Sequence, residues 1–181
     1  MTFLDRLSAK RQWTEEERLV LDQVTRVADE IIAPAAAGYD QSRDYPEDSM
    51  AALNELGMNA IFVPEIYGGA LMSYRLYLEC VSIISTACAS TGIIYATNFH
   101  GMKPLIDFGT EEQKLRLLPR IAEGGLGSLA IIEPSAGSDA TGMKTRFTPD
   151  GDDIIIDGSK TFISNGDRAE LILLFGKWSE I

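Results

Sequence analysis

The apolar periodicity of this chain changes once, near Gly125, and that change constrains the fold more than any single motif. Before it, apolar residues recur every three or four positions, as on helices buried along one face. After it, short apolar runs are separated by Gly- and Asp-rich turns, as strands are. The pattern predicts an α+β protein: an all-α N-terminal helical bundle over residues 1–125, then over 126–181 the start of an antiparallel β domain that is left incomplete.

In the first part, Thr14 and Glu17 form a capping-box pair, and Val20, Val24, Val27 and Ile31 then recur at helical spacing until Pro34 stops the pattern. Pro46 suits a first helical turn, Met50, Leu53 and Leu56 form a short stripe, and Gly57 supplies a left-handed cap. Residues 61–69 end in Pro64 and the pair Gly68-Gly69, which predicts a sharply turning loop. From Tyr74 to Phe108 the chain is apolar on nearly every side, predicting two closely packed helices with a break at Gly92. Thr110 with Gln113 repeats the capping box, and Leu115, Leu117 and Leu118 carry one more helix to Pro119.

After Gly127, strands are expected at Leu129–Ile132, Asp153–Asp157, Thr161–Ser164 and Leu171–Phe175. Asp150-Gly151 and Asp157-Gly158 are turn signals, able to end a strand with or without a tight hairpin. No closing pattern follows before Ile181, so the sheet would keep open edges.

Composition excludes several classes of function. With 27 Asp and Glu against 16 Lys and Arg, the net charge of −11 would repel a phosphate backbone, and no basic run offsets it, so nucleic acid is not an expected partner. Apolar stretches are interrupted well before the roughly 18 residues of a membrane span. Met1 to Arg11 lack a signal peptide's apolar centre, so a cytoplasmic location is expected. Cys80 and Cys88 match no zinc spacing and stand too far apart along one apolar helix to bond, which predicts buried free thiols.

Two segments carry chemistry. In Glu133-Pro134-Ser135-Ala136-Gly137-Ser138-Asp139, proline fixes a turn, Gly137 permits close backbone approach and Ser138 offers a hydroxyl; such a loop cradles a phosphate or is an ordinary polar turn. In the segment Asp157 to Gly166, strand alternation would put Phe162 and Ser164 on one face, where an aromatic wall and a hydroxyl meet one ring, or would make a plain strand.

Taken in order, the leading helices, the Pro64-to-Gly69 turn, the Phe108-to-Lys114 helix start, the Glu-Pro-x-Ala-Gly-Ser-Asp loop and the Gly-x-Lys-x-aromatic-Ile-Ser-Asn segment resemble the acyl-CoA dehydrogenase family over essentially the whole chain. The two later motifs are the specific ones. The resemblance implies an FAD-dependent oxidoreductase of fatty acid metabolism. It removes an α proton from an acyl-CoA thioester with a carboxylate base while the β hydrogen leaves as hydride to flavin N5. The implied FAD contacts are Leu129, Ile131, Ile132, Gly137, Ser138, Phe162, Ile163 and Ser164, with Ser138 also touching the acyl-CoA and Ser164 bonding flavin N5. Phe162 stands where many relatives have tryptophan. Ile132 stands where they often have a Thr or Ser that bonds the pyrimidine edge, so either the backbone serves instead or the flavin potential is tuned differently.

By the same resemblance the base lies in a C-terminal helical domain that this sequence lacks, so no catalytic residue is expected here, and Glu133 is expected to be a structural member of its loop. The resemblance further implies a missing C-terminal half or second polypeptide, electron-transfer flavoprotein or a similar acceptor, tetramer assembly when complete, and little activity or flavin retention by the chain alone. Acyl-CoA oxidases and flavin monooxygenases share the fold and remain alternatives, as does a non-catalytic helical interaction module. His100 is expected to pack in a core helix. Ser82 to Gly92 fit either an acyl tunnel or dense packing, and Lys144 and Arg146 fit either CoA phosphates or exposed strand positions.

Overall fold

The computed structural model describes residues 13–179, so the reading of Met1 to Arg11 lies outside the described residues. The chain divides into two compact units, one made of residues through Met58 with Met72–Gly92, the other of Asn59–Leu71 with Ile93 onward.

In the first unit, α1 (Glu15–Val27) opens on the expected capping box: the Glu17 N–H donates to Thr14 Oγ1 at 3.1 Å, and the Thr14 N–H donates to the Glu17 carboxylate at 3.0 Å. Pro34 does not end this run. One wide π turn, Ala28–Ile32, joins α1 to α2 (Ala33–Ser42), with the Ala33 N–H reaching back to the Ala28 carbonyl. Pro34 thereby falls in the first turn of α2, where a missing N–H costs nothing. The inserted residue also rotates the buried stripe, so Val24, Ala28 and Ile32 are buried and Ile31 is partly exposed. The helix α3 (Glu47–Glu55) buries Met50 and Leu53 and is followed by Gly57 at φ 70°. In α4 (Tyr74–Ala87), Leu76, Cys80 and Ile84 complete this core.

The break before α5 (Ala89–Phe108) falls at Cys88, whose backbone is extended, and not at Gly92. Gly92 is helical and lets the two helices meet: a Cβ there would stand 2.8 Å from the Ser85 Cα. Both cysteines are free and buried, and burial, with Glu79 adding to it, pushes the Cys80 thiol up to about 12. At pH 8 its thiolate fraction is on the order of 10⁻⁴. An aromatic disulfide reagent is therefore expected to leave Cys80 unmodified in the native chain and to titrate two thiols once guanidinium is added; fast native labelling at Cys80 would contradict this packing.

In the second unit, residues 59–71 form the expected turning loop with two short 3₁₀ turns, Met58–Ala60 and Glu65–Tyr67, and Gly68 at φ 87°. Tyr67 donates its hydroxyl to Glu111 at 2.8 Å at the start of α6 (Glu111–Ala122), whose Thr110–Gln113 capping box forms as expected. That helix runs through Pro119 to Ala122. His100 is exposed on α5, not packed in a core.

Among the described residues five strands follow: β1 (Leu126–Ala130), β2 (Arg146–Asp150), β3 (Asp153–Asp157), β4 (Ala169–Leu174) and β5 (Lys177–Trp178). The α+β class holds, but the pairing is mixed, and among the described strands only β2–β3 is antiparallel. β1 pairs with β4 in parallel as one two-stranded sheet, and β5 pairs with β2 in parallel in a second sheet of order β3-β2-β5. Parallel pairing needs long connections, and the segments 131–168 and 151–176 supply them. The β2–β3 turn is a tight hairpin, Asp150 facing Asp153 with Gly151 at φ 63°. The expected strand at Thr161–Ser164 is absent: Phe162 (φ 55°) and Asn165 (φ 61°) are left-handed, and the segment is an irregular loop. Among the described residues no helix is long and apolar enough to cross a membrane.

Candidate functional site

The two chemistry-bearing segments lie side by side within the second unit, joined by hydrogen bonds rather than by a strand ladder. The Thr161 N–H donates to the Ile132 carbonyl at 3.0 Å and Lys160 Nζ to the Ile131 carbonyl at 3.0 Å. Ser128 Oγ donates to the Ser164 carbonyl at 2.6 Å, and Asn165 Nδ2 to the carbonyls of Gly127 at 3.3 Å and Ile94 at 3.2 Å. Asn165 suits its place because a short polar side chain tolerates the left-handed region; Phe162 in that region is strained by about 1–3 kcal/mol.

The anchor of the site is Glu133, whose side chain is only 3% exposed. Its carboxylate accepts from the Thr145 hydroxyl at 2.6 Å, the Thr145 N–H at 2.9 Å, the Lys144 N–H at 2.6 Å and Lys160 Nζ at 2.9 Å. Its backbone exchanges two hydrogen bonds with Ala136, at 3.0 and 3.1 Å, closing the Glu-Pro-Ser-Ala turn. The Thr145 hydroxyl first, then the Lys144 N–H and the Lys160 ammonium, hold the Glu133 carboxyl well below the usual carboxylate range. A carboxylate so fully engaged is ionised and cannot serve as a proton acceptor near neutral pH.

The sequence-derived site residues are distributed unevenly. Leu129, Ile131 and Ile132 are half-buried along β1 and its extension. A cleft of about 710 Å³ is bordered by Ala130, Lys160, Thr161, Phe162 and Ile163 together with apolar residues of β3 and β4. Of the expected FAD contacts only Phe162 and Ile163 border it; Leu129, Ile131, Ile132, Gly137, Ser138 and Ser164 lie outside that lining. Gly137 and Ser138 are exposed, and nothing stands within 4 Å of a Cβ built at Gly137. Ser164 is half-buried and engaged through its carbonyl; Phe162 is 88% exposed. Lys144 and Arg146 are exposed.

Sequence reasoning missed the residues that hold this arrangement. Ser128 and Asn165 act through backbone carbonyls and Thr145 through the Glu133 carboxylate, partners that no local pattern reveals, and Lys160 was visible only as a motif letter. A further buried pair sets the start of β1: Asn98 Nδ2 donates to Asn59 Oδ1 at 2.9 Å, Asn98 Oδ1 accepts the Gly127 N–H, and Asn59 Nδ2 donates to the Gly125 carbonyl at 3.4 Å.

Residues 14–125 match the acyl-CoA dehydrogenase N-terminal domain and residues 128–180 the acyl-CoA dehydrogenase middle domain. The chain is 39% identical over 163 residues to the probable acyl-CoA dehydrogenase YngJ of Bacillus subtilis, covering 89% of this chain and 43% of that protein. It is 38% identical over 164 residues to the cyclohex-1-ene-1-carbonyl-CoA dehydrogenase of Geobacter metallireducens, covering 90% and 43%. Butyryl-CoA dehydrogenase from Megasphaera elsdenii superposes with a TM-score of 0.85 at 27% identity, over 91% of this chain and 45% of the other. Glutaryl-CoA dehydrogenase from Mycobacterium smegmatis in complex with FADH2 does so with a TM-score of 0.84 at 26% identity, over 92% and 44%. The chain spans less than half the length of these relatives, and it belongs to the acyl-CoA dehydrogenase family.

Proposed function

We propose that this chain supplies the FAD-facing and part of the acyl-CoA-facing surface of an enzyme that desaturates an acyl-CoA thioester between its α and β carbons. Residues 1–125 serve as the helical domain and 126–181 as the first part of the flavin-binding β domain. The observation that carries this reading is the lateral joining of 127–133 to 160–166, which gathers Leu129, Ile131, Ile132, Phe162, Ile163 and Ser164 into one region. The residues present fit a flat, phosphate-bearing ring: an exposed aromatic at Phe162, unhindered backbone at Gly137 beside the Ser138 hydroxyl, and apolar flanks at Leu129 and Ile131. FAD, when bound, accepts the two electrons removed from the substrate. In this reading Phe162 stacks on the ring, Gly137 and Ser138 receive the pyrophosphate and the CoA thioester, and Ser164 bonds the ring edge.

Glu133 is committed to its loop; the family resemblance assigns the base to a complementary C-terminal half or second polypeptide and the electrons to an electron-transfer flavoprotein or similar acceptor. Titration of FAD with the chain, followed by flavin fluorescence polarisation, tests the reading. Weak saturable binding is expected, and Phe162→Ala is expected to lower affinity about tenfold through the lost aromatic face. Absence of saturable binding, or an unchanged affinity in Phe162→Ala, would sink it.

A further inference from the structure

Ile132 presents no side-chain donor, yet its backbone sits in an unusual position. The carbonyl of Ile131 and the N–H of Ile132 belong to one trans peptide plane and point in opposite directions. Lys160 Nζ holds that carbonyl at 3.0 Å, so the Ile132 N–H is directed away from Lys160. No protein acceptor meets this N–H among the described residues, while the neighbouring carbonyls of Ala130 and Ile132 are taken by the Phe175 and Thr161 N–H groups. Lys160 is itself held in place: its side chain is 9% exposed and its ammonium is paired with Glu133 at 2.9 Å. A buried cation locked to one carboxylate and one carbonyl fixes a peptide plane far more firmly than a surface lysine does.

We propose that Lys160 is a positioning residue that orients the Ile131–Ile132 peptide so that the Ile132 N–H becomes a hydrogen-bond donor to the carbonyl-bearing edge of the bound flavin ring, in place of a side-chain hydroxyl. This rests on the flavin-binding reading above. Removing Lys160 frees the peptide to rotate, and the donor is lost without any residue that touches the ring having been altered. A hydroxyl introduced at position 132 supplies a donor that does not depend on the peptide plane.

The test compares the chain with Lys160→Met, Lys160→Arg, Ile132→Thr and the double variant Lys160→Met/Ile132→Thr, reading FAD affinity and, without FAD, amide hydrogen exchange. Lys160→Met is expected to weaken FAD about tenfold, the loss of one well-placed hydrogen bond. It is also expected to raise exchange at the Thr161 and Glu133 amides, which donate to Ile132 and Ala136, at least about tenfold while α6 stays protected. Ile132→Thr is expected to restore most of the FAD affinity in the Lys160→Met background. If Lys160→Met fails to fold, Lys160→Arg carries the comparison, because it keeps the charge and displaces the contact with the Ile131 carbonyl. Unchanged FAD affinity in the lysine variants, or a loss that Ile132→Thr does not recover, overturns the proposal. Should the parent chain bind no FAD, the flavin reading fails. Exchange then decides the positioning role, which stands if protection is lost at the Thr161 and Glu133 amides alone and falls if it is not.

Discussion

Glu133→Ala is expected to melt on the order of 10 °C below the parent chain at pH 7, the largest stability loss for any single polar side chain of the β region. The carboxylate is the common acceptor for two backbone N–H groups, one hydroxyl and one ammonium. Its removal strands Lys160, whose side chain is 9% exposed, as a buried cation without a counter-ion, and leaves Thr145 with an unsatisfied N–H and hydroxyl. Glu133→Gln retains an acceptor oxygen but loses the charge, and is expected to fall between the two. The same group sets part of the acid limb of stability. Its folded pKa is depressed, so its contribution is fully present above its unfolded value near 4.5 and is lost as pH falls below that value toward the folded one. Glu17, Glu111 and Asp139 are also lowered and share that limb, so the informative quantity is the difference between parent and variant. Scanning calorimetry from pH 7 to pH 3 is expected to show the two melting temperatures converging below about pH 4.5. Parallel curves, or equal melting at pH 7, would show that the loop is held by something else.

What could be read from the sequence was whatever is decided locally. The capping boxes at Thr14 and Thr110 formed as expected because a hydroxyl and a carboxylate or amide three residues apart meet only within one helical turn. The β3 strand and the turn before it were equally legible, since Asp150-Gly151 allows the left-handed residue that a two-residue hairpin needs. Failures came where a shift of helical register, a close backbone approach or chain further off decides. Pro34 looks like a stop until a π turn shifts the register, and Gly92 looks like a break until its missing Cβ is seen to admit the Ser85 backbone. Thr161 to Ser164 alternate like a strand, yet their backbone partners are Ile132 and a serine hydroxyl on β1, so no ladder forms. At the candidate site the two motifs were legible as ligand-facing segments. Their joining was not, because Ser128, Lys160 and Asn165 reach across 29 to 71 residues to backbone carbonyls, contacts that leave no periodic trace.

Gly127→Val is expected to destabilise the chain by about 3 kcal/mol, read as a lowered urea midpoint with an unchanged slope. The reason is space rather than backbone freedom. A Cβ at Gly127 would stand 2.7 Å from the Asn98 carbonyl oxygen and 3.4 Å from the Gly101 Cα, and a Cβ at Gly101 would stand 2.6 Å from the Ser128 nitrogen. Helix α5 and strand β1 therefore touch backbone to backbone through two glycines, and the atoms in the way belong to main chain, which cannot swing aside as a side-chain tip does. The same contact lets Asn98 Oδ1 accept the Gly127 N–H and Asn165 Nδ2 donate to the Gly127 carbonyl, so a displaced β1 loses both. Because Ser128 is the next residue and holds the Ser164 carbonyl, the disturbance passes directly into the loop bearing Phe162. Gly127→Val is accordingly expected to raise amide exchange at Asn165 and Gly166 as well as at β1, and to weaken FAD binding although residue 127 lies outside the set proposed to touch it. Gly137→Val provides the contrast, since nothing stands within 4 Å of a Cβ there. It is expected to leave the urea midpoint nearly unchanged and to reduce FAD affinity alone, by obstructing the approach of the pyrophosphate. Equal destabilisation by both substitutions would mean that backbone approach at α5 and β1 is not what holds the site together.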